Sequence, residues 1–303
     1  MPQYRFVTCD VFTTTRFGGN QLAVLPDARG LTDAEMAAIA REFNYSETTF
    51  VLPPENPVHA RFVRIFTPGG ELTFAGHPTV GTAHALAVLG EIKLEGPETH
   101  IVLEEKVGPI PVTIRATEGR PTHCQFAVAK LPEVVARMPS RDVLAGVLSI
   151  DEDDILEGDW PALVMSCGTP FGFVPVRNRA VVAKSRINGD MHQRHLMGTP
   201  GEMVMIFAMD PENPAHHVRA RMYAPGINIA EDPATGSACA ALGGYLGVRA
   251  PKDGNLRWIV EQGFEMGRPS LIELEADRSG GRITGVRVGG ATVMVSEGKI
   301  TVE

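Results

Sequence analysis

Two stretches of the chain place side chains suited to acid–base chemistry at matching positions. The first, RIFTPGGELTFAGHPTVGTA, opens at Arg64 and has His77 directly before a proline. The second, RMYAPGINIAEDPATGSA, opens at Arg221 and has Asp232 at the equivalent point. Both start with Arg-x-aromatic-x-Pro-Gly and finish with Gly, Thr or Ser, and Ala. We interpret the repeat as two homologous domains whose equivalent ends line one cleft.

A further ionisable residue, Glu47, lies in NYSETTFVL, where polar residues give way to an apolar, β-branched run typical of a strand. A carboxyl at that point should be partly desolvated, which would raise its pKa and suit it to proton transfer near neutral pH. An outward-facing strand glutamate is an equally good interpretation of the pattern alone, because alternation does not fix which face is buried.

The proline of each repeat predicts the start of a helix, because proline is tolerated at the first helical position. On this register His77 and Asp232 are the N-caps, and small residues line the first turns: Gly81, Thr82, Gly236 and Ser237. Free N–H groups at two such helix starts would bind a carboxylate or another small anion. The structural alternatives are that Asp232 is only a cap and that His77 is a packed histidine.

The segments after these prolines predict how the site is supported. HPTVGTAHALAVLG and DPATGSACAALGGYLG have small or apolar residues on nearly every face, which indicates helices buried all round. HARFVRIF, HHVRARMY, GGNQLAVLP and CGTPFGFVPV predict strands. The predicted fold is α/β (α+β), with two pseudo-symmetric domains that each wrap a strongly curved, mostly antiparallel sheet around a central buried helix.

Domain limits and local elements follow from the same patterns. We place the N-terminal domain at residues 1–122 and the C-terminal domain at 123–288, and the stretch 289–303 is predicted to be a hairpin that could complete the first domain. In LTDAEMAAIAREFN, Thr32 and Glu35 form a capping box before a helix, and Asn44 is a left-handed stop.

Composition excludes several classes of partner. The net charge of −8 argues against a nucleic-acid or anionic-membrane partner, and no apolar run approaches the roughly 18 residues of a membrane span. The N-terminus lacks the pattern of a signal peptide, and four scattered cysteines fit a reducing cytoplasm.

HQRH, with His192 and His195, is predicted to be a solvated loop, because a metal site needs more ligands. No cofactor-binding motif is present, so no cofactor is expected.

Taken together, these motifs resemble the phenazine-biosynthesis isomerase-like (PhzF-like) family of the diaminopimelate-epimerase-like superfamily. The matching pieces run from near the N-terminus to about Ser270: CDVFTTTRFGGNQLAVLP, AREFNYSETTFVLPP, RIFTPGGELTFAGHPTVGTAHAL, SCGTPFGFVPV, RMYAPGINIAEDPATGSACAALGGYL and EQGFEMGRPS. The resemblance implies two similar domains, each a curved sheet around a helix, and is compatible with a homodimer.

The resemblance also implies an activity. The family's characterised member isomerises trans-2,3-dihydro-3-hydroxyanthranilate by moving a proton, without metal or organic cofactor. Its motifs imply that Glu47 is the acid–base group and that His77 and Asp232 join it in catalysis. They imply substrate contacts at Asn20, Ser46, Gly76, Thr235, Gly236 and Ser237. Gln21 stands where the family often has proline, which bears on the identity of the substrate.

Related epimerases and racemases use two thiols, one near the start of each central helix. Here the corresponding segments are AGHPT and EDPAT, and Cys239 lies deeper in the second helix without a counterpart in the first. One carboxyl suits a proton shift, so we expect a cofactor-independent isomerase of a small, anionic, cyclic or conjugated amino or hydroxy acid. The alternatives are an amino-acid epimerase that uses Glu47 and Asp232, and a non-enzymatic protein that binds a small molecule.

Overall fold

The computed structural model describes residues 1–302 of the chain. It divides into two compact units. Unit 1 comprises Met1–Ala129 together with the C-terminal segment from Arg287, and unit 2 comprises Lys130–Val286. Within residues 1–302, none of the helices has the length and apolar character needed to cross a membrane.

Helices and strands alternate irregularly along the chain. The helices are α1 (Asp33–Phe43), α2 (Gly76–Val88), α3 (Arg141–Leu148), α4 (Arg179–Lys184), α5 (Gly189–His195) and α6 (Gly236–Gly247). The first eight strands are β1 (Gln3–Val11), β2 (Asn20–Leu25), β3 (Glu47–Leu52), β4 (Arg61–Thr67), β5 (Gly70–Leu72), β6 (Glu98–Glu105), β7 (Gly108–Thr117) and β8 (Arg120–Ala127). The others are β9 (Glu133–Arg137), β10 (Leu163–Ser166), β11 (Pro170–Pro175), β12 (Val204–Ala208), β13 (Val218–Ala224), β14 (Ile229–Asp232), β15 (Gly254–Gln262), β16 (Ser270–Ser279), β17 (Arg282–Gly290) and β18 (Thr292–Thr301).

The sequence repeat corresponds to a repeated sheet topology. In unit 1 the pairs β1–β2, β3–β4 and β6–β7 are antiparallel, whereas β2–β3 and β4–β6 are parallel. In unit 2 the pairs β10–β11, β12–β13 and β15–β16 are antiparallel, whereas β11–β12 and β13–β15 are parallel. The short strands β5 and β14 pair with β4 and β13 respectively. Each unit therefore repeats the same order of strands and crossovers.

Each sheet curls around one helix. In unit 1, α2 packs against β1, β2, β3, β7, β8 and β18, and every residue from Gly76 to Ala87 is buried. Strands far apart in the sheet order can contact one helix only if the sheet bends around it. In unit 2, α6 packs against β10, β11 and β16 and is buried over almost its whole length. The predicted fold class, with a buried central helix in each half, is confirmed.

Helix α1 forms as its capping signals predict. The Thr32 hydroxyl accepts a hydrogen bond from the Glu35 N–H at 3.3 Å, and the Glu35 carboxylate accepts one from the Thr32 N–H at 2.6 Å. Asn44 ends the helix in the left-handed region, with φ 51° and ψ 30°. The capping box and the stop residue are therefore confirmed.

The predicted hairpin over 289–303 is wrong. Residues Thr292–Thr301 form the single strand β18, which pairs antiparallel with β1 from Val11 opposite Thr292 to Gln3 opposite Thr301. Gly298 lies inside this strand against the ring of Phe6, and a Cβ at Gly298 would come within 2.7 Å of that ring. Close approach of an aromatic ring, and not chain reversal, explains this glycine.

The interpretation of HQRH as a solvated loop is also wrong. The segment lies in α5, whose N-cap Asn188 accepts a hydrogen bond from the Met191 N–H at 3.1 Å. His192 is buried, and its Nε2 lies 2.7 Å from the carbonyl oxygen of Glu202. The polar composition concealed one buried histidine that ties the helix to the following loop.

The packing of α2 makes a testable demand on Gly81. A Cβ at this position would lie 2.6 Å from Leu22 Cδ2 and 2.7 Å from Val11 Cγ2, so Gly81→Ala should lower the free energy of unfolding by about 1–3 kcal/mol. Gly189→Ala, at the start of α5 with open space around the new Cβ, is the matched control and should be neutral or slightly stabilising. Urea denaturation measures both, and equal stability of the two variants would contradict this packing.

Candidate functional site

Glu47 is the first residue of β3 and is buried, with 9% of its surface exposed. It pairs in parallel register with Leu22 of β2, and the four residues that follow it are buried. The strand start predicted at Glu47 is confirmed. Its Oε2 lies 3.3 Å from Nε2 of His77. The fold of unit 1 thus holds a carboxyl and an imidazole together in a nearly dry environment.

His77 reaches this position from the first turn of α2. The helix begins at Gly76 with Ala75 as N-cap, so His77 is its second residue and Pro78 its third. The predicted N-cap position of His77 is therefore wrong by two residues. Proline fits anywhere in the first turn, because the N–H groups there have no partner within the helix.

The charge state of His77 follows from its burial. Desolvation lowers the pKa of His77 to about 3, against the opposing effect of a backbone hydrogen bond at Gln21, so the ring is neutral at neutral pH. Its Nδ1 lies 3.2 Å from Nδ2 of Asn20, a buried residue at the start of β2. When that amide nitrogen donates to Nδ1, the ring proton resides on Nε2, which lies 3.3 Å from Glu47 Oε2 without hydrogen-bond geometry. His77 therefore lies against the Glu47 carboxyl as a neutral ring.

Unit 1 also holds two of the predicted substrate contacts next to this pair. Ser46 directly precedes Glu47 and is partly exposed, and Gly76 directly precedes His77 and is buried. Gly81 and Thr82, in contrast, do not line the first turn as expected. Gly81 contacts the sheet, and the Thr82 hydroxyl lies 2.9 Å from the Thr49 hydroxyl in the core. The earlier helix start explains the difference, because it moves both residues into the second turn.

Unit 2 has a different polar cluster at the equivalent place. Asp232 is buried at the end of β14, and α6 begins four residues later at Gly236 with Thr235 as N-cap. The predicted N-cap position of Asp232 is therefore wrong. Its Oδ2 lies 2.5 Å from the hydroxyl of Thr235. Gly236 is buried and Ser237 is partly exposed, and together they form the first two positions of the helix.

Gln262, which the sequence argument did not single out, organises this cluster. Its Nε2 donates to the Asp232 carbonyl at 2.8 Å and to the Thr235 hydroxyl at 3.0 Å. Its Oε1 accepts from the Thr235 N–H at 3.2 Å. Because an amide nitrogen only donates, the Thr235 hydroxyl must direct its proton to Asp232. The signal was present in EQGFEMGRPS, but only the fold brings it to Asp232.

A second internal repeat, also missed, fixes the strands that end beside both helix starts. PENPVH and PENPAH begin at Pro54 and Pro211. Glu104 accepts hydrogen bonds from the first of these turns, from two backbone N–H groups and from His59 Nδ1 at 2.7 Å. Glu261 accepts the same set from the second turn, with His216 Nδ1 also at 2.7 Å. The next residues, Glu105 and Gln262, are therefore structurally equivalent.

Titration of His77 should show its burial directly. Because the folded state binds a proton at this ring less readily than the unfolded state does, the contribution of His77 to stability is present above pH 6.5. It is lost as the pH falls from 6.5 towards 3, at about 1.4 kcal/mol per pH unit. NMR should show neutral His77 ring carbons from pH 8 to about pH 4, with His77→Gln providing the assignment. A midpoint between pH 6 and 7 would contradict the desolvated pair.

Comparison with known proteins places the chain in a family. The model of phenazine biosynthesis-like proteins (PhzC-PhzF) matches residues 9–298. An uncharacterised isomerase of Mesorhizobium japonicum is 39% identical over 305 residues, covering 99% of both chains. Trans-2,3-dihydro-3-hydroxyanthranilate isomerase of Pseudomonas aeruginosa is 32% identical over 296 residues, covering 98% of this chain and 99% of that one. The crystal structure of a Bacillus anthracis phenazine biosynthesis protein of the PhzF family matches with a TM-score of 0.89, at 27% identity over 100% of both chains. The chain therefore belongs to the PhzF family and is an isomerase of that family.

Proposed function

We propose that this isomerase works without a cofactor and moves a proton on a small cyclic or conjugated amino or hydroxy acid. The observation that carries the proposal is the buried Glu47 carboxyl, held 3.3 Å from a neutral His77. The relative that is 32% identical is named for trans-2,3-dihydro-3-hydroxyanthranilate, a compound of this class. We take that compound as the first substrate to test.

In the proposed mechanism Glu47 both removes and returns the proton. Its carboxylate takes a proton from a substrate carbon, and the resulting carboxylic acid delivers it to another carbon of the conjugated system. His77 Nε2 lies 3.3 Å from the carboxylate without hydrogen-bond geometry, and we propose that it donates to the carboxylate once substrate is bound, which would fix the orientation of the carboxylate. Because burial keeps the His77 pKa near 3, the ring does not compete for the transferred proton. Catalysis then needs a single acid–base group.

The remaining predicted residues are proposed as substrate contacts. Asn20, Ser46 and Gly76 adjoin the pair in unit 1, and the backbone N–H groups at the start of α2 suit a substrate carboxylate. Asp232 is proposed to orient or polarise the substrate, with further contacts from Thr235, Gly236 and Ser237. These roles rest on the family motifs. Turnover and Kd of Asp232→Asn test them, because an orienting residue should change both.

Glu47→Gln should separate chemistry from binding. The variant keeps the shape of the side chain and removes the proton shuttle, so we expect kcat to fall by about 10²–10⁴-fold. Substrate Kd should change little, and Tm should hold or rise because a buried acid is removed. Glu42→Gln, on the exposed surface of α1, is the control and should behave as wild type. Near-normal turnover would refute the one-carboxyl mechanism, and loss of folding would make Glu47 structural.

The type of reaction can be read from isotope incorporation. The purified protein should convert trans-2,3-dihydro-3-hydroxyanthranilate in D₂O to a double-bond isomer. The carbon that receives the proton should carry deuterium to the extent that the Glu47 acid exchanges with solvent before it delivers the proton, and should otherwise carry the hydrogen that was removed. Addition of EDTA should not change the rate. Deuterium incorporation with inversion at one carbon would instead identify an epimerase using Glu47 and Asp232. Tight binding without turnover of any related acid would identify a binding protein.

The proposed partner is the small anionic substrate, with no nucleic acid or membrane. A homodimer also remains a prediction. Light scattering after gel filtration measures the mass of the particle directly, and a monomer at micromolar concentration would contradict it.

A further inference from the structure

Glu105 is a buried acid that the proposed mechanism does not use. It is the last residue of β6 and is 3% exposed. Its Oε1 lies 2.5 Å from the hydroxyl of Thr79, and its Oε2 has no hydrogen-bond partner among residues 1–302. An ionised carboxylate in this position would be costly, because a buried charge needs several donors to replace water.

The contacts of Thr79 indicate the protonation state. Its hydroxyl lies 2.7 Å from the carbonyl oxygen of Ala75 as well as 2.5 Å from Glu105. A hydroxyl has one proton, and a carbonyl oxygen can only accept. If Thr79 donates to Ala75, the short contact with Glu105 is a hydrogen bond only when Glu105 carries the proton. Burial is consistent with this, since it raises the pKa of Glu105 to about 8.

The bond from Thr79 to Ala75 closes the helical turn that carries His77. Ala75 is the N-cap of α2, and the backbone bond from the Thr79 N–H to the Ala75 carbonyl is long, at 3.4 Å. The hydroxyl contact at 2.7 Å is therefore the tighter closure of this turn. His77 lies between its two ends and extends from it towards Glu47.

Unit 2 provides an independent indication that a neutral donor belongs at this position. Glu104 and Glu261 accept equivalent hydrogen bonds, so the following residues, Glu105 and Gln262, occupy equivalent sites. Gln262 is neutral and donates to the hydroxyl of Thr235 next to the start of α6. A protonated Glu105 would do the same for Thr79 at the start of α2.

We propose that Glu105 is a positioning residue that acts as a neutral carboxylic acid, donating to Thr79 so that Thr79 closes the turn holding His77 against Glu47. An ionised Glu105 competes with the Ala75 carbonyl for the single Thr79 proton, so deprotonation releases that turn. The neighbouring elements carry ionisable groups that are bonded elsewhere or kept neutral by burial: Glu104 with His59, Arg61 with Glu91, Arg64 and Lys106 with Glu71, and His77 and His84 in α2.

Thermal stability tests the protonation state without any assay of activity. An acid whose folded pKa is raised contributes stability that is complete below pH 4.5 and is lost as the pH rises through about 8. The Tm of Glu105→Gln minus that of wild type should therefore increase between pH 5 and pH 9. Glu104→Gln, which replaces one acceptor oxygen of the neighbouring carboxylate with an amide donor, should lower Tm without this increase between pH 5 and pH 9. A constant difference across the range, or a Glu105→Gln protein that fails to fold at pH 7, would overturn the proposal.

Activity and exchange test the positioning role, and only the activity readout rests on the proposed function. With trans-2,3-dihydro-3-hydroxyanthranilate, wild-type kcat should fall about tenfold from pH 7 to pH 9, as one ionisation near pH 8 requires. Glu105→Gln should retain most of its kcat over that interval, with KM little changed.

Amide exchange in peptides covering residues 73–83 should accelerate in wild type above pH 8, beyond the intrinsic effect of pH, but not in Glu105→Gln. Parallel alkaline losses of kcat, or identical exchange in the two proteins, would overturn the positioning role. Absence of turnover in both, with the exchange difference present, would refute the substrate assignment alone.

Discussion

Near-complete burial of the central helices is the constraint on which the rest of the structure depends. Most of the first turn of such a helix is closed to water, and a buried polar group left without a partner costs about 1–3 kcal/mol. The protein must therefore supply partners from neighbouring strands. In each unit a side chain at a strand end bonds a threonine hydroxyl near the helix start: Glu105 bonds Thr79, and Gln262 bonds Thr235. Both pairs lie beside the residues proposed for catalysis. The same demand for close packing explains why a glycine, Gly81, faces Leu22 and Val11.

The repeated topology brings equivalent strand ends to each helix start, and the chemistry arises where the two copies differ. Glu104 and Glu261 retain the same bonds to their PENP turns, which sets the register of β6 and β15. Around this shared frame, His77 corresponds to Asp232 and Glu105 to Gln262. One copy thus holds a neutral imidazole next to a buried carboxyl, and the other holds a buried aspartate bonded to Thr235. A duplicated fold can therefore keep its packing while the side chains at the two helix starts differ in their chemistry.

Sequence reasoning succeeded where the signal is local or follows from periodicity. The buried helices, the strand start at Glu47 and the capping box of α1 all follow from patterns within a few turns of chain. Helix starts were misplaced because proline is compatible with the whole first turn, so tertiary contacts decide the register. The hairpin expected over 289–303 is absent because the segment pairs as one strand with β1, almost 300 residues away in sequence. The contacts of Glu105 and Gln262 join segments about 26 residues apart, which no local pattern reveals. The PENP repeat can be seen in the sequence, but its structural role depends on its hydrogen bonds to Glu104 and Glu261, which lie far from it along the chain.

The pairing of β1 with β18 has a consequence for how the chain is made. Gln3 is paired in register with Thr301, so β1 receives this neighbour only after all the strands between them have been synthesised. Unit 2 is one continuous segment, Lys130–Val286, and its strands are all available earlier. Domains generally fold as units during translation, at roughly 5–20 residues per second. The order of folding should then be the reverse of the order of synthesis. Unit 2 should fold first, while the edge of β1 that will pair with β18 is still unpaired and accessible to chaperones.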